Sequence, residues 1–150
     1  MQIGKILISA LVGTSAMTLL SYLVADSKNK NFREPEILGK LINRLPEPNS
    51  KELTQRAGWG LHYGIGILFV LFYNQLWKQT NVKPSITSGI LLGGASGVVG
   101  VTGWKLMFAT HPNPPAKKLK PFFGHLVLAH IVFGVFSAIT HKFTSYKKII

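Results

Sequence analysis

Five histidines are the residues of this 150-residue chain best suited to chemistry, and four of them draw attention: His62, His111, His125 and His130. His62 stands in "AGWGLHYGIG", beside Trp59 and Tyr63, and His111 stands in "THPNPP", two residues before Asn113. Grouped imidazoles can relay protons or bind a small polar ligand. They can also ligate haem or a metal, and His62 and His125 are the pair whose depths match. The plain structural alternative is a set of hydrogen bonds between helices. Enzymatic chemistry is the weaker class: no Asp or Glu follows Glu52 and cysteine is absent. A serine triad would lack its acid unless the segment before Glu52 folded back, and a metal site would be almost all histidine. No catalytic residue, metal or cofactor is therefore assigned.

The elements that must position these groups are marked by charge. Residues 6–25, 57–77, 84–104 and 121–141 contain no Asp, Glu, Lys or Arg. Each run is long enough for a helix to cross the roughly 30 Å of a bilayer's hydrocarbon core. The expected fold is an all-α integral membrane protein, a four-transmembrane-helix bundle in one domain over residues 1–150. Residues 1–25 read as a retained helix, the apolar run being longer than that of a signal peptide. Trp59, Trp77 and Trp104 stand at run ends, where an indole suits the headgroup level.

Charge is left to the connections. The formal net charge is +12, and with the basic residues divided between two membrane faces the expected partners are the bilayer and its anionic headgroups, not nucleic acid. Lys117, Lys118 and Lys120 would draw in such headgroups. Lys and Arg number eleven across residues 26–56 and 105–120 and six elsewhere, which favours cytoplasmic loops. Around residues 35–45, "EPEILGKLINRL" puts Ile37, Leu38, Leu41, Ile42 and Leu45 at helical spacing, with Glu36, Lys40 and Arg44 opposite. This is a short amphipathic surface helix, lying flat on the membrane or covering the bundle's end. The terminal "YKKII" has the lysine placement of a retrieval signal, but lysines reaching for the headgroups explain it better.

Small residues predict the packing. Gly89, Gly93, Ser96, Gly97 and Gly100 share one side of the third run, which places that helix at the bundle's centre. Gly60 and Gly64 repeat the device in the second run, and Gly134 lies on a stripe with His130, Ser137 and His141 in the fourth. His125, about 140° away from His130 around the helix, should point to a flank. A second small-residue stripe would allow a homo-oligomer or another membrane protein as partner.

The segments "GWGLHYGIGILFVLF", "HPNPP" and "HLVLAHIVFG" resemble an uncharacterised bacterial inner-membrane family with four spans, a domain of unknown function, over about residues 38–141. The resemblance implies a bacterial cytoplasmic-membrane, multi-pass location, with Gly58, Trp59, His62, Tyr63, His111, Pro112, His130 and Gly134 as matching positions. It implies no activity. From the residues themselves, the expected function is binding or translocating a small polar or lipidic ligand at a histidine-lined mouth made by Trp59, His62, Tyr63, His111, Asn113, His125 and His130. The alternatives are a scaffold or accessory subunit of a membrane complex and a histidine-ligated haem or metal protein.

Overall fold

The structure, a computed structural model, describes residues 2–28, 30–46, 50–115 and 119–146. Lys117, Lys118 and the "KKII" tail lie outside them. Among the described residues five helices follow one another: α1 (Gln2–Lys28), α2 (Glu34–Asn43), α3 (Lys51–Gln79), α4 (Ile86–Thr110) and α5 (Leu119–Tyr146). Three of the uncharged runs form helices that extend past both of their ends, and α4 starts two residues inside its run and continues past the other end, because helix formation continues until a cap or a proline stops it. Ser50 caps α3 by accepting from the Leu53 N–H. Ser85 caps α4 in a reciprocal pair with Ser88, after Pro84.

The expected four-span bundle is corrected here. Among the described residues, three helices are long and apolar enough to cross a membrane, Ile3–Lys28, Ile86–Thr110 and Leu119–Thr144, and α3 is not one of them. The reason is composition. Lack of formal charge is not the same as solubility in lipid: α3 carries His62, Tyr63, Tyr73, Asn74 and Gln75 among its apolar residues, and it begins with Lys51, Glu52 and Arg56. The chain is thus an all-α protein with three candidate membrane helices, against which α2 and α3 pack.

Packing runs in the order α4, α5, α1, α3, α2. Antiparallel neighbours are evident from paired positions. Ser21 meets His125 and Ser9 meets Ser137 across α1 and α5, while Thr18 meets His62 across α1 and α3. Helices α4 and α5 approach backbone to backbone: a Cβ at Gly89 would lie 2.7 Å from the Gly134 carbonyl oxygen, and one at Gly97 would lie 2.8 Å from the Val127 Cα. At Gly93 it would collide with the His130 carbonyl.

Two packing expectations change. The third run, α4, sits at the edge instead of the centre, packed on α5 with Leu91, Val98, Val99 and Leu106 exposed. Its glycines seat it on one neighbour, and one stripe serves only one neighbour. Gly60 and Gly64 face open space, with nothing within 4 Å of an added Cβ. In α3 the close approaches are instead Gly58, against the α2 backbone at Pro35 and Gly39, and Gly66, against Thr14 of α1.

Helix α2 is not a surface helix. Glu34, Pro35, Ile37, Leu38, Gly39 and Leu41 are buried, and the apolar ones join a core with Trp104, Phe108, Phe122 and Leu126. Trp104 accordingly turns inward, as does Trp77, where the headgroup level was expected. The turn into α2 is held by an Arg33–Asp26 ion pair, by Arg33 over the Tyr22 ring and by Tyr22 donating to Glu36 at 3.0 Å. The first loop therefore folds back into the bundle.

Candidate functional site

Helices α3 and α4 are joined by Tyr73, whose hydroxyl donates to the Leu92 carbonyl at 3.1 Å and lies 2.6 Å from the Ser96 Oγ. Since the phenol has one hydrogen, Ser96 is the donor in the second contact. Towards His62 and Trp104 the two helices leave a cavity of about 210 Å³ between them. Helix α3 supplies His62, Ile65, Gly66 and Phe69, and α4 supplies Val99, Gly100, Gly103, Trp104 and Met107. Met17 of α1 and Leu126, His130 and Phe133 of α5 complete the walls, and α2 closes one side with Glu34 and Leu38.

The hydrogen-bond network assigns the histidine tautomers. Thr18 donates its one hydroxyl hydrogen to the Thr14 carbonyl at 2.6 Å, so the 2.9 Å contact with the His62 Nε2 requires that nitrogen to donate. Burial, with a smaller contribution from His130, pushes the His62 pKa down to about 4, so its ring is neutral and Nδ1 remains an acceptor. His130 donates from Nδ1 to the Leu126 carbonyl at 2.8 Å. An imidazolium there would leave an Nε2–H without a partner among apolar groups, so Nε2, which faces Gly100, is the second acceptor. Gly100 is glycine for that reason: its added Cβ would stand 3.1 Å from the His130 Nε2.

The third ionisable group of the cavity is one that the sequence reading did not single out. Glu34 is 2% exposed, and its Oε1 accepts from the Ser21 hydroxyl at 2.9 Å. Ser21 in turn lies 2.9 Å from the His125 Nε2. With its hydrogen committed to the carboxylate, Ser21 must accept from His125, which gives the chain His125 to Ser21 to Glu34. The direct Nε2–Oε1 separation is 3.8 Å. His125 is buried and stacked on Phe32, with ring centroids 4.7 Å apart, so it does not point to a flank as expected. A signal for Glu34 was present: Glu34, Ile37, Leu38 and Leu41 share the i, i+3, i+4, i+7 spacing of one helix face. The signal is masked because the residue stands among the charges of a loop.

Of the seven expected binding residues, the cavity brings together His62 and His130. His125 reaches it only through Ser21 and Glu34. His111 is a brace: Nε2 donates to the Leu41 carbonyl at 2.8 Å and Nδ1 accepts from the Asn113 N–H at 3.1 Å, which ties α2 to the segment after α4. Asn113 is exposed, Tyr63 bonds Ser15 at 2.9 Å and Trp59 stacks on Tyr63, all outside the cavity. His62 and His125 do not converge, since their Nε2 atoms serve different hydroxyls of α1.

Chemically, the cavity is an apolar chamber whose three ionisable groups offer acceptors. Its lining holds no hydroxyl, thiol or amine nucleophile. Among the described residues, no group of three or more His, Cys, Asp or Glu is placed to hold a metal. No family model, no curated protein and no solved structure matches the chain.

Proposed function

We propose that the protein binds, within the membrane, a small and mainly apolar molecule that carries a hydrogen-bond donor at one end. The observation behind this reading is the polar inventory of the cavity: His62 Nδ1, His130 Nε2 and the Glu34 carboxylate are all acceptors, set in a wall of Met17, Phe69, Trp104, Met107 and Phe133. Imidazole lone pairs buried without donors are costly, so a ligand that supplies a donor to His62 or His130 gains selectivity over an apolar molecule of the same shape. A chamber of about 210 Å³ is the size for a single substituted ring. The three helices long and apolar enough to cross a membrane support a ligand drawn from molecules that partition into lipid. A bacterial cytoplasmic membrane is the location that the resemblance implies, and we adopt it as part of the proposal.

Gly103 offers a clean test, because it lines the cavity and an added Cβ there meets nothing within 4 Å. Gly103→Leu should fill the chamber without strain. Trp104 lines the same space, so its fluorescence in a Trp59→Phe, Trp77→Phe background reads occupancy by benzyl alcohol. The expected result is a saturable change that Gly103→Leu weakens at least tenfold, roughly 1.4 kcal/mol, while the melting temperature stays within a few degrees. A Gly103→Leu variant that binds as before would sink the assignment.

A further inference from the structure

Resting on that reading of the cavity, we infer that its ligand is a phenol-headed lipid, which enters sideways from the bilayer between α3 and α4, seats its ring in the chamber and leaves its alkyl tail in the slot. The chamber has one open side. Its lining residues from α1, α2 and α5 are all buried, whereas Ile65 and Phe69 of α3 and Val99, Gly100, Gly103 and Met107 of α4 keep part of their surface exposed. The opening therefore lies between α3 and α4. These helices are tied by the Tyr73 hydroxyl to Leu92 and Ser96, one turn beyond Phe69 on α3 and one turn before Gly100 on α4, and otherwise pack little against one another. The slot begins at that tie.

What the slot faces is decided by its rim. Ile65 is 41% and Val99 60% exposed, and outward of them stand Leu61, Leu68 and Phe72 on α3 and Val98 and Leu106 on α4, all exposed and apolar. The single charged residue of α4, Lys105, turns to the Phe123 ring of α5. Val99 and Gly100 stand roughly 15–20 Å from either end of α4, a helix long and apolar enough to cross a membrane, so the slot opens at the depth of acyl chains. A tail left there stays in lipid.

The head follows from the walls. Phe69, Trp104 and Phe133 suit an aromatic ring, and the ring must bring a donor. To receive a carbonyl instead, His62 would have to carry its proton on Nδ1 and turn a lone pair towards Thr18, whose own hydrogen is held by the Thr14 carbonyl. His130 would have to give up the Leu126 carbonyl in the same way. A phenolic hydroxyl meets either imidazole as it stands.

The probes are 4-octylphenol, the tailless 4-methylphenol and 1-fluoro-4-octylbenzene, in which fluorine replaces the hydroxyl at nearly the same size. Each is titrated against the single-tryptophan protein in nanodiscs, with affinity expressed as mole fraction in the bilayer so that partitioning cancels. The expected result is saturable binding of both phenols and binding of the fluoro compound weaker by roughly tenfold or more. Val99→Phe and Ile65→Phe, at exposed rim positions, should each weaken 4-octylphenol by roughly tenfold and leave 4-methylphenol within about threefold, with melting temperatures close to the parent's. A tailed phenol refused while 4-methylphenol binds, or rim variants that treat the two phenols alike, overturns the slot and leaves the cavity reading intact. A fluoro compound that binds as well as its phenol overturns the hydroxyl head. If neither phenol binds, both readings fall.

Discussion

Gly134→Val should separate α4 from α5 and destabilise the fold by about 3 kcal/mol or more. A Cβ at Gly134 would run into the Gly89 carbonyl and stand 2.7 Å from the Gly93 Cα. These are backbone atoms of two facing helices, so no side chain can swing aside, and the two extra methyl groups of valine worsen the overlap. Because α4 has no contact of comparable extent with any other helix, the Tyr73 hydrogen bonds and the Trp104 and Phe108 contacts are what remain to hold it once α5 is pushed off. Reversible unfolding in SDS, followed by tryptophan fluorescence, measures the loss. Gly60→Ala and Gly64→Ala are the controls. With open space at both positions they should be neutral, or slightly stabilising through helix propensity.

Glu34→Leu should cost about 3 kcal/mol, and adding His125→Phe should recover at least half of that. Leucine matches the volume of the glutamate side chain and keeps company with Ile37 and Leu38, so the loss is not one of packing. It arises because the carboxylate is removed from a buried donor chain and leaves Ser21 and His125 without the acceptor at its end. Phenylalanine at position 125 retains the ring stacked on Phe32 and removes the stranded N–H. A double variant less stable than Glu34→Leu alone would show that the network does not act as a unit. The same SDS unfolding measures both.

Much of this fold is legible in the sequence, for reasons that differ by element. Helices α1, α4 and α5 stand out because long apolar runs bounded by charge have little alternative in a bilayer. Helix α2 is visible in the spacing of Ile37, Leu38 and Leu41, but spacing shows only that one face is apolar. Whether that face meets lipid or protein depends on Gly39 and Gly58, whose backbones must come together before α2 can dock, and nothing local to either residue says that they do. Helix α3 misleads because an uncharged run is not the same as an apolar one: His62, Tyr73 and Asn74 need protein partners.

The site divides in the same way. His62 and His130 are legible as ionisable groups on apolar helices, which are costly unless they face the interior. His125 and His111 look equivalent to them in the sequence, and differ only in what tertiary contact brings near: Ser21 for one, the Leu41 carbonyl for the other. Glu34 is the instructive omission. It stands among the charges of a loop, yet its place on the apolar face of α2 assigns it to the core. The acid that a buried histidine needs came from the segment before Glu52, folded back over the helices.

The central claim is that an apolar chamber between α3 and α4 receives a molecule with a donor at one end. Its most direct measurement is a crystal structure grown in a lipid phase with 3-bromobenzyl alcohol, the bromine located by anomalous scattering. The account predicts the bromine among Phe69, Met107 and Phe133, with the hydroxyl within hydrogen-bond distance of the His62 Nδ1, the His130 Nε2 or Glu34. Bromine found only on the outer, lipid-facing surface, with the chamber closed by its own side chains, would contradict it.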